Sequence, residues 1–187
     1  MRDLKETPRF KLPTVEEAIE YPLSDGDIKT ILGDDIAIHR YPDLKGASSL
    51  HDITDNKGRA IVLFLNQSPT SGHWCCLLNK RDSVEFFDPY GDPPETQTDD
   101  LPKAKEQELE MDQSLLLPLL KQSGKRVIVN KTQFQTQRGN VNTCGRWCVA
   151  RLLYGDKPLS YFKRVVQTSG MTPDEFVTGL TANWLKK

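Results

Sequence analysis

The sequence predicts an α+β protein with a mostly antiparallel central sheet flanked by helices, and three observations carry that expectation. Short runs at 60–65, 73–78 and 83–88 are apolar, of strand length, and separated by turn residues. Helical periodicity precedes them at 24–32 and follows them from Cys144 onward. The polar stretch 140–143 passes directly into an amphipathic run beginning at Cys144, which puts a cysteine in the first turn of a helix.

Length and charge set the outer bounds. A chain of 187 residues suits one domain with its own core, read as 23–187 behind an N-terminal arm at 1–22. Lys plus Arg number 25 against 26 Asp plus Glu, so bulk electrostatics favours neither nucleic acid nor a membrane surface. No apolar run reaches the roughly 18 residues of a membrane span, and the first six residues lack a signal-peptide core. Four cysteines are too few for a disulfide framework, so reduced thiols in a soluble, non-secreted monomer are expected.

In chain order, Pro8, Pro13 and Pro22 break up the arm, where Val15, Ala18 and Ile19 offer a short helical turn. Ser24 with Asp27 three residues on forms a capping box, Ile28, Ile31 and Leu32 share a face, and Gly33 ends that helix. Residues 34–58 read as turns around short apolar pairs. The run 60–65 is a buried central strand, 66–72 a loop, and 73–78 the next strand. A turn at 79–82 returns the chain into 83–88, stopped by Pro89 and Gly91. Residues 92–113, acidic and rich in proline, read as a mobile surface loop. A helix at 114–120 should bend or stop near Pro118, and a strand at 125–130 should run on through Thr132 and Phe134 to Gln135. After the Cys144 helix, 159–168 and 172–186 are helical, the latter capped by Thr172 with Pro173 and Glu175 and buried along Phe176, Leu180 and Trp184.

A functional constellation emerges from that layout. In an antiparallel hairpin, His73 opens one strand and Asp88 closes its partner, which puts both at the same sheet edge. Gln135 or Gln137 lies in the approach to Cys144. Asn142 or Thr143 can cap the Cys144 helix, whose free N–H groups and dipole favour a thiolate. Each residue alone has an ordinary explanation, as a surface histidine, a turn aspartate or a small buried cysteine. Their convergence at one edge points to nucleophilic chemistry.

The motifs Gly72-His73-Trp74, Phe87-Asp88-Pro89-Tyr90-Gly91, a glutamine after a strand, and Thr143-Cys144-Gly145-Arg146-Trp147-Cys148 resemble those of the adenain-like maturation cysteine peptidases. That family covers adenoviruses, virophages and polinton-type viruses and belongs to the Ulp1-like superfamily. The resemblance spans about residues 60–154 and implies a papain-like, Ulp1-like cysteine peptidase fold with the nucleophile at the start of a central helix. It further implies Cys144 as nucleophile, His73 as general base, Asp88 as its orienting partner and a glutamine amide in the oxyanion hole. Gln135 follows Phe134, matching the family's strand-end pattern; Gln137, seven residues before Cys144 and with Asn140 also matching, is the alternative. Trp74 and Gly145 would line the substrate groove. The implied activity is cleavage of viral capsid or scaffold precursors at glycine-containing sites, in the virion and inside the infected cell.

Where the family has a cysteine that captures an activating peptide, this chain reads Arg126-Val127-Ile128-Val129, so a peptide cofactor lacks support. DNA stimulation would rest only on Lys121, Lys125, Arg126, Lys131, Arg138 and the Lys186-Lys187 tail. No metal or other cofactor is expected. A deconjugating enzyme cutting ubiquitin-like proteins after Gly-Gly would use the same residues. A structural zinc protein would use His73, Cys75, Cys144 and Cys148. Cys75, Cys76 and Cys148 otherwise read as core positions, with Cys75 and Cys76 on opposite faces of one strand.

Overall fold

The computed structural model describes residues 14–99 and 101–182. Expectations for 1–13, for Trp184 and for the Lys186-Lys187 tail lie outside the described residues. The chain runs α1 (Val15–Glu20), α2 (Asp25–Leu32), β1 (Ala37–Arg40), a 3-10 turn (Tyr41–Leu44), α3 (Leu50–Ile53), β2 (Arg59–Ser68), β3 (Ser71–Asn79) and β4 (Ser83–Phe87). It continues through α4 (Thr96–Asp99), α5 (Lys103–Glu108), α6 (Leu116–Gln122), β5 (Arg126–Val129), α7 (Cys144–Leu153), α8 (Leu159–Gln167) and α9 (Pro173–Ala182).

The five strands form one sheet in the order β1-β2-β3-β4-β5. The expectation of a mostly antiparallel sheet is corrected: β2–β3 and β3–β4 are antiparallel, but β1–β2 and β4–β5 are parallel, so the sheet is mixed. Both parallel strands are four residues long and sit at the edges. The expected loop at 66–72 is instead the tip of a tight hairpin, with Ser68 paired to Ser71 after a bulge.

Register sorts the side chains into two layers, since directly opposed residues share a face. Phe64, His73, Cys75 and Phe86 lie on one face, where the Tyr41 ring meets Phe64 at 4.7 Å. Trp74, Cys76, Glu85 and Phe87 lie on the other, covered by α7 and α8 through Cys148, Arg151 and Phe162. Cys75 and Cys76 therefore face opposite ways, as alternation requires.

Helix ends follow their capping chemistry. Thr14 with Glu17 and Ser24 with Asp27 form reciprocal capping boxes, and Gly33 closes α2 by donating to the Lys29 carbonyl. Thr172 and Glu175 exchange bonds at the start of α9. The buried face of α9 is Asp174, Val177, Thr178 and Thr181, while Phe176 and Leu180 are half-buried. The expected stripe is thus rotated. Helix α6 runs through Pro118, which occupies its third position; a first-turn N–H has no intrahelical acceptor, so proline removes nothing there. β5 ends at Val129 and does not run on to Gln135.

The segment 92–113 is the largest departure from expectation. It carries α4 and α5, and Leu109 and Met111 are buried. Glu95, also buried, accepts from the Tyr41 hydroxyl at 2.6 Å, the Ser114 hydroxyl at 2.7 Å and the Leu116 and Leu117 N–H groups at 2.8 and 3.0 Å. One carboxylate thus fixes the start of α6 and the 3-10 turn together.

Candidate active site

Strand lengths create the site. β3 begins at Ser71, but β4 ends at Phe87, opposite Cys76, so the first residues of β3 extend beyond the end of β4. The chain leaving β4 turns across this open end at Asp88-Pro89-Tyr90-Gly91, closed by the Gly91 N–H on the Asp88 carbonyl at 2.9 Å. Gly91 has φ +85°, and a Cβ there would lie 2.9 Å from the Thr132 backbone. His73 Nε2 then meets Asp88 Oδ1 at 2.8 Å, both residues buried.

Asp88 is held from several sides. Its Oδ1 also accepts the Tyr90 N–H at 2.7 Å, its Oδ2 accepts from Gln97 Nε2 at 3.3 Å, and its carbonyl accepts from Asn130 Nδ2 at 2.7 Å. The Tyr90 ring stacks on the His73 imidazole, with centroids 4.2 Å apart and planes 7° from parallel. Tyr90 stood inside a quoted motif without a role, and Gln97 lay in the segment read as a loop. Paired Asn130 and Asp88 bonding could not be foreseen from a strand-end asparagine.

Cys144 enters from the other direction, at the first position of α7. Thr143 holds the N-cap position, but the expected side-chain cap is absent: its hydroxyl donates to Asp174 Oδ1 at 2.6 Å. Asn142 does not cap either, since its Nδ2 donates to the carbonyls of Glu20 and Asn140. The helix start is consequently left open beside the sulfur.

The Cys144 thiol is close enough to His73 for each group to shift the other's pKa. With Nε2 taken by Asp88, Nδ1 is the ring atom available to it. Burial opposes charge on the ring, but bonds to Asp88 and Cys144, and their charges, outweigh it and push His73 up to about 9. Burial likewise raises the Cys144 thiol, yet the bond to His73, its charge and the backbone N–H groups of Trp74 and Gly145 bring it below the ordinary thiol value. Burial pushes Cys75 and Cys148 well up, so those thiols stay protonated.

The two glutamines separate clearly. Gln135 is 2% exposed; its Nε2 donates to the Val141 carbonyl at 3.2 Å and reaches the Tyr90 hydroxyl at 3.5 Å, while its Oε1 has no partner. The Pro89 carbonyl accepts the Phe134 and Gln135 N–H groups, which ties this segment to the turn carrying Asp88. Gln137 is exposed.

Trp74 lines a cleft of about 700 Å³ together with Leu23, Gly72 and Asn142. Its indole donates to the Leu23 carbonyl at 3.3 Å. Gly145 is not a cleft residue: a Cβ there would approach Leu23 and Trp74 to 3.1 and 3.2 Å, so its role is to let them pack on α7. The zinc set His73, Cys75, Cys144 and Cys148 is not the one that gathers. Among the described residues the donor atoms of His73, Cys75 and Asp88 cluster within 4.8 Å, and the Cys148 thiol donates to the Trp74 carbonyl. All four cysteines are free.

Fold and site together define an α+β protein whose mixed, helix-flanked sheet assembles a cysteine, a histidine and an aspartate at one edge. No protein-family model matches the chain. It is 33% identical over 164 residues to the uncharacterized protein V9 of Sputnik virophage, covering 85% of this chain and 93% of V9. The chain belongs to the same family as this virophage protein. No helix among the described residues is long and apolar enough to cross a membrane.

Proposed function

We propose that this protein is a viral cysteine endopeptidase that cleaves capsid or scaffold precursors at small-residue, glycine-containing sites during virion maturation. The observation that carries the proposal is the buried Asp88–His73 hydrogen bond beside Cys144 at the start of α7, where His73 helps draw the thiol below its ordinary pKa. Kinship with a virophage protein supports the viral setting, and the motif resemblance supports the substrate class.

In this reading Asp88 holds His73 through Nε2, the thiol proton already rests on Nδ1 as an imidazolium beside the Cys144 thiolate, and the thiolate attacks the peptide carbonyl. The oxyanion meets the open backbone N–H groups at the start of α7 and the Gln135 amide, which already points its nitrogen toward the loop before Cys144. Collapse of the tetrahedral intermediate breaks the C–N bond, and the leaving amine takes the proton from Nδ1. Water, deprotonated by the same nitrogen, then hydrolyses the thioester and returns Cys144 as the thiolate beside the imidazolium. The substrate chain would lie in the Trp74-lined cleft, in the virion and inside the infected cell.

The test is incubation of the purified protein with capsid precursors and, separately, with ubiquitin-like fusions, followed by sequencing of new termini. Cleavage of the precursors, abolished in Cys144→Ala and His73→Ala proteins of unchanged circular dichroism, is the expected result. Selective cutting of the fusions after Gly-Gly would reassign the enzyme to deconjugation. No cleavage of either, with Cys144 alkylated no faster than a free thiol, would end the enzymatic reading.

A further inference from the structure

Tyr90 has no part in the chemistry above, yet it touches three members of the site. Its N–H donates to Asp88 Oδ1 at 2.7 Å, its ring lies flat on the His73 imidazole with centroids 4.2 Å apart, and its hydroxyl accepts from Gln135 Nε2 at 3.5 Å. The backbone is fixed on either side of it: the Pro89 carbonyl accepts the Gln135 N–H at 3.0 Å, and the Gly91 N–H closes the turn onto the Asp88 carbonyl. With backbone and ring both held, the place of the hydroxyl is set.

A primary amide carries two N–H donors and one carbonyl oxygen. In Gln135 the nitrogen has two acceptors, the Val141 carbonyl at 3.2 Å and the Tyr90 hydroxyl, whereas the buried Oε1 has none. A carbonyl can only accept, so Val141 decides which end of the amide is nitrogen; turning the amide over would set two acceptors against each other. The second N–H is left for Tyr90 to direct. A contact of 3.5 Å stands at the long limit of a hydrogen bond, so little is lost when that N–H turns to a stronger acceptor. An oxyanion is such an acceptor, and a bond that strengthens only as the transition state forms is the kind that speeds a reaction. Burial, together with the charges of Cys144 and Asp88, pushes the Tyr90 hydroxyl up to about 12, so it stays a neutral acceptor.

We propose that Tyr90 is a positioning residue of this site: its hydroxyl holds the second N–H of the Gln135 amide in the resting state, ready to pass to the oxyanion, and its stack on His73 fixes where that hydroxyl stands. The proposal rests on the peptidase reading, in which Gln135 is the oxyanion donor. Tyr90 acts through Gln135 and makes no bond to the substrate.

The test is Tyr90→Phe, which keeps the ring and removes the hydroxyl, made in the full chain alone and together with Gln135→Ala. With glutamine side-chain nitrogens labelled for NMR, solvent exchange of the Gln135 amide protons should quicken about threefold or more in Tyr90→Phe, the scale of one ordinary hydrogen bond. In peptide cleavage the same variant should lose about three- to tenfold in kcat with KM held within about twofold. Added to Gln135→Ala it should cost nothing further, again within about twofold, because the group it acts on is gone. A tyrosine that only supports the fold would leave the amide exchange where it is, or would lower turnover alike in both backgrounds; either result overturns the proposal. A wild-type chain that cleaves no peptide ends the peptidase reading instead, and the amide exchange then decides alone whether Tyr90 holds Gln135.

Discussion

Arg151 and Glu85 join the helix that carries Cys144 to the strand that delivers Asp88, and breaking that pair should destabilise the whole fold. Arg151 Nε meets Glu85 Oε1 at 2.6 Å and its Nη2 meets Oε2 at 2.9 Å, a bidentate pair with side chains 0% and 5% exposed. The remaining donors go to the carbonyls of Tyr154 at 2.7 Å and Lys157 at 3.0 Å, which close the turn after α7. Removing one member of a buried, hydrogen-bonded pair costs about 3–5 kcal/mol, because the other charge stays behind without compensation. Arg151→Met should fall at the upper end, since it strands the Glu85 carboxylate and both carbonyls. Glu85→Leu should fall at the lower end, since the guanidinium keeps two carbonyls and the Phe162 ring 5.6 Å away. The double variant should lose less than the sum of the singles, by about 1 kcal/mol or more of coupling. Urea unfolding followed by the fluorescence of the buried Trp74 and Trp147 measures all three. Single losses below about 1 kcal/mol, the reverse order, or strict additivity would refute the claim that this pair fastens the helix to the sheet.

Three further expectations concern the site. His73 should release its proton near pH 9, against about 6.5 in the unfolded chain. The folded state therefore holds the extra proton between those values, so its contribution to stability is complete below pH 6.5 and fades as pH rises to 9. Histidine-detected NMR titration reads this midpoint, and Asp88→Asn should lower it. Gln135→Ala should cut turnover of a cleaved peptide by roughly 10²–10³-fold, the cost of losing one oxyanion donor, while Gln137→Ala leaves it within a few-fold. Equal losses in single-turnover assays would overturn the assignment of Gln135. Asp174 accepts from the Thr143 hydroxyl, the Trp147 indole at 3.4 Å and the Thr136 N–H at 3.1 Å, so Asp174→Ala strips three donors flanking the loop before Cys144. A stability loss of about 3 kcal/mol by urea titration is expected.

What the sequence made legible was whatever is encoded locally. The runs at 60–65, 73–78 and 83–88 became β2, β3 and β4 because continuous apolar residues have few alternatives to a buried strand. The short three-residue connection between β3 and β4 fixed their register, and with it the meeting of His73 and Asp88. The direction in which β1 and β5 pair was not legible, since a four-residue strand carries no mark of whether its neighbour runs with it or against it. Polar anchoring was invisible as well. Glu95 lies in the acidic stretch read as a loop, yet it organises α6; Asp174 lies in the first turn of α9, yet it also clamps Thr143. Burial of a polar group depends on partners distant in sequence, and hydropathy patterning does not contain them.

The geometry of the edge explains why so few residues suffice to build the site. His73 and Asp88 are neighbours because one strand outruns the other, and Gln135 joins them because the Pro89 carbonyl takes two N–H groups from the segment leaving β5. Cys144 arrives on a helix that Arg151 fixes to β4 and that Gly145 lets Trp74 approach. Each of these constraints acts on backbone or on a buried side chain, so under the proposed peptidase reading little rotamer freedom would remain to be lost on binding a substrate. In the proposed reading, a site assembled this way would be organised before a substrate arrives. It follows that substitutions beneath it, at Glu85 or Asp174, should lower folding stability before they lower chemistry in the molecules that remain folded, whereas Gln135→Ala should do the opposite.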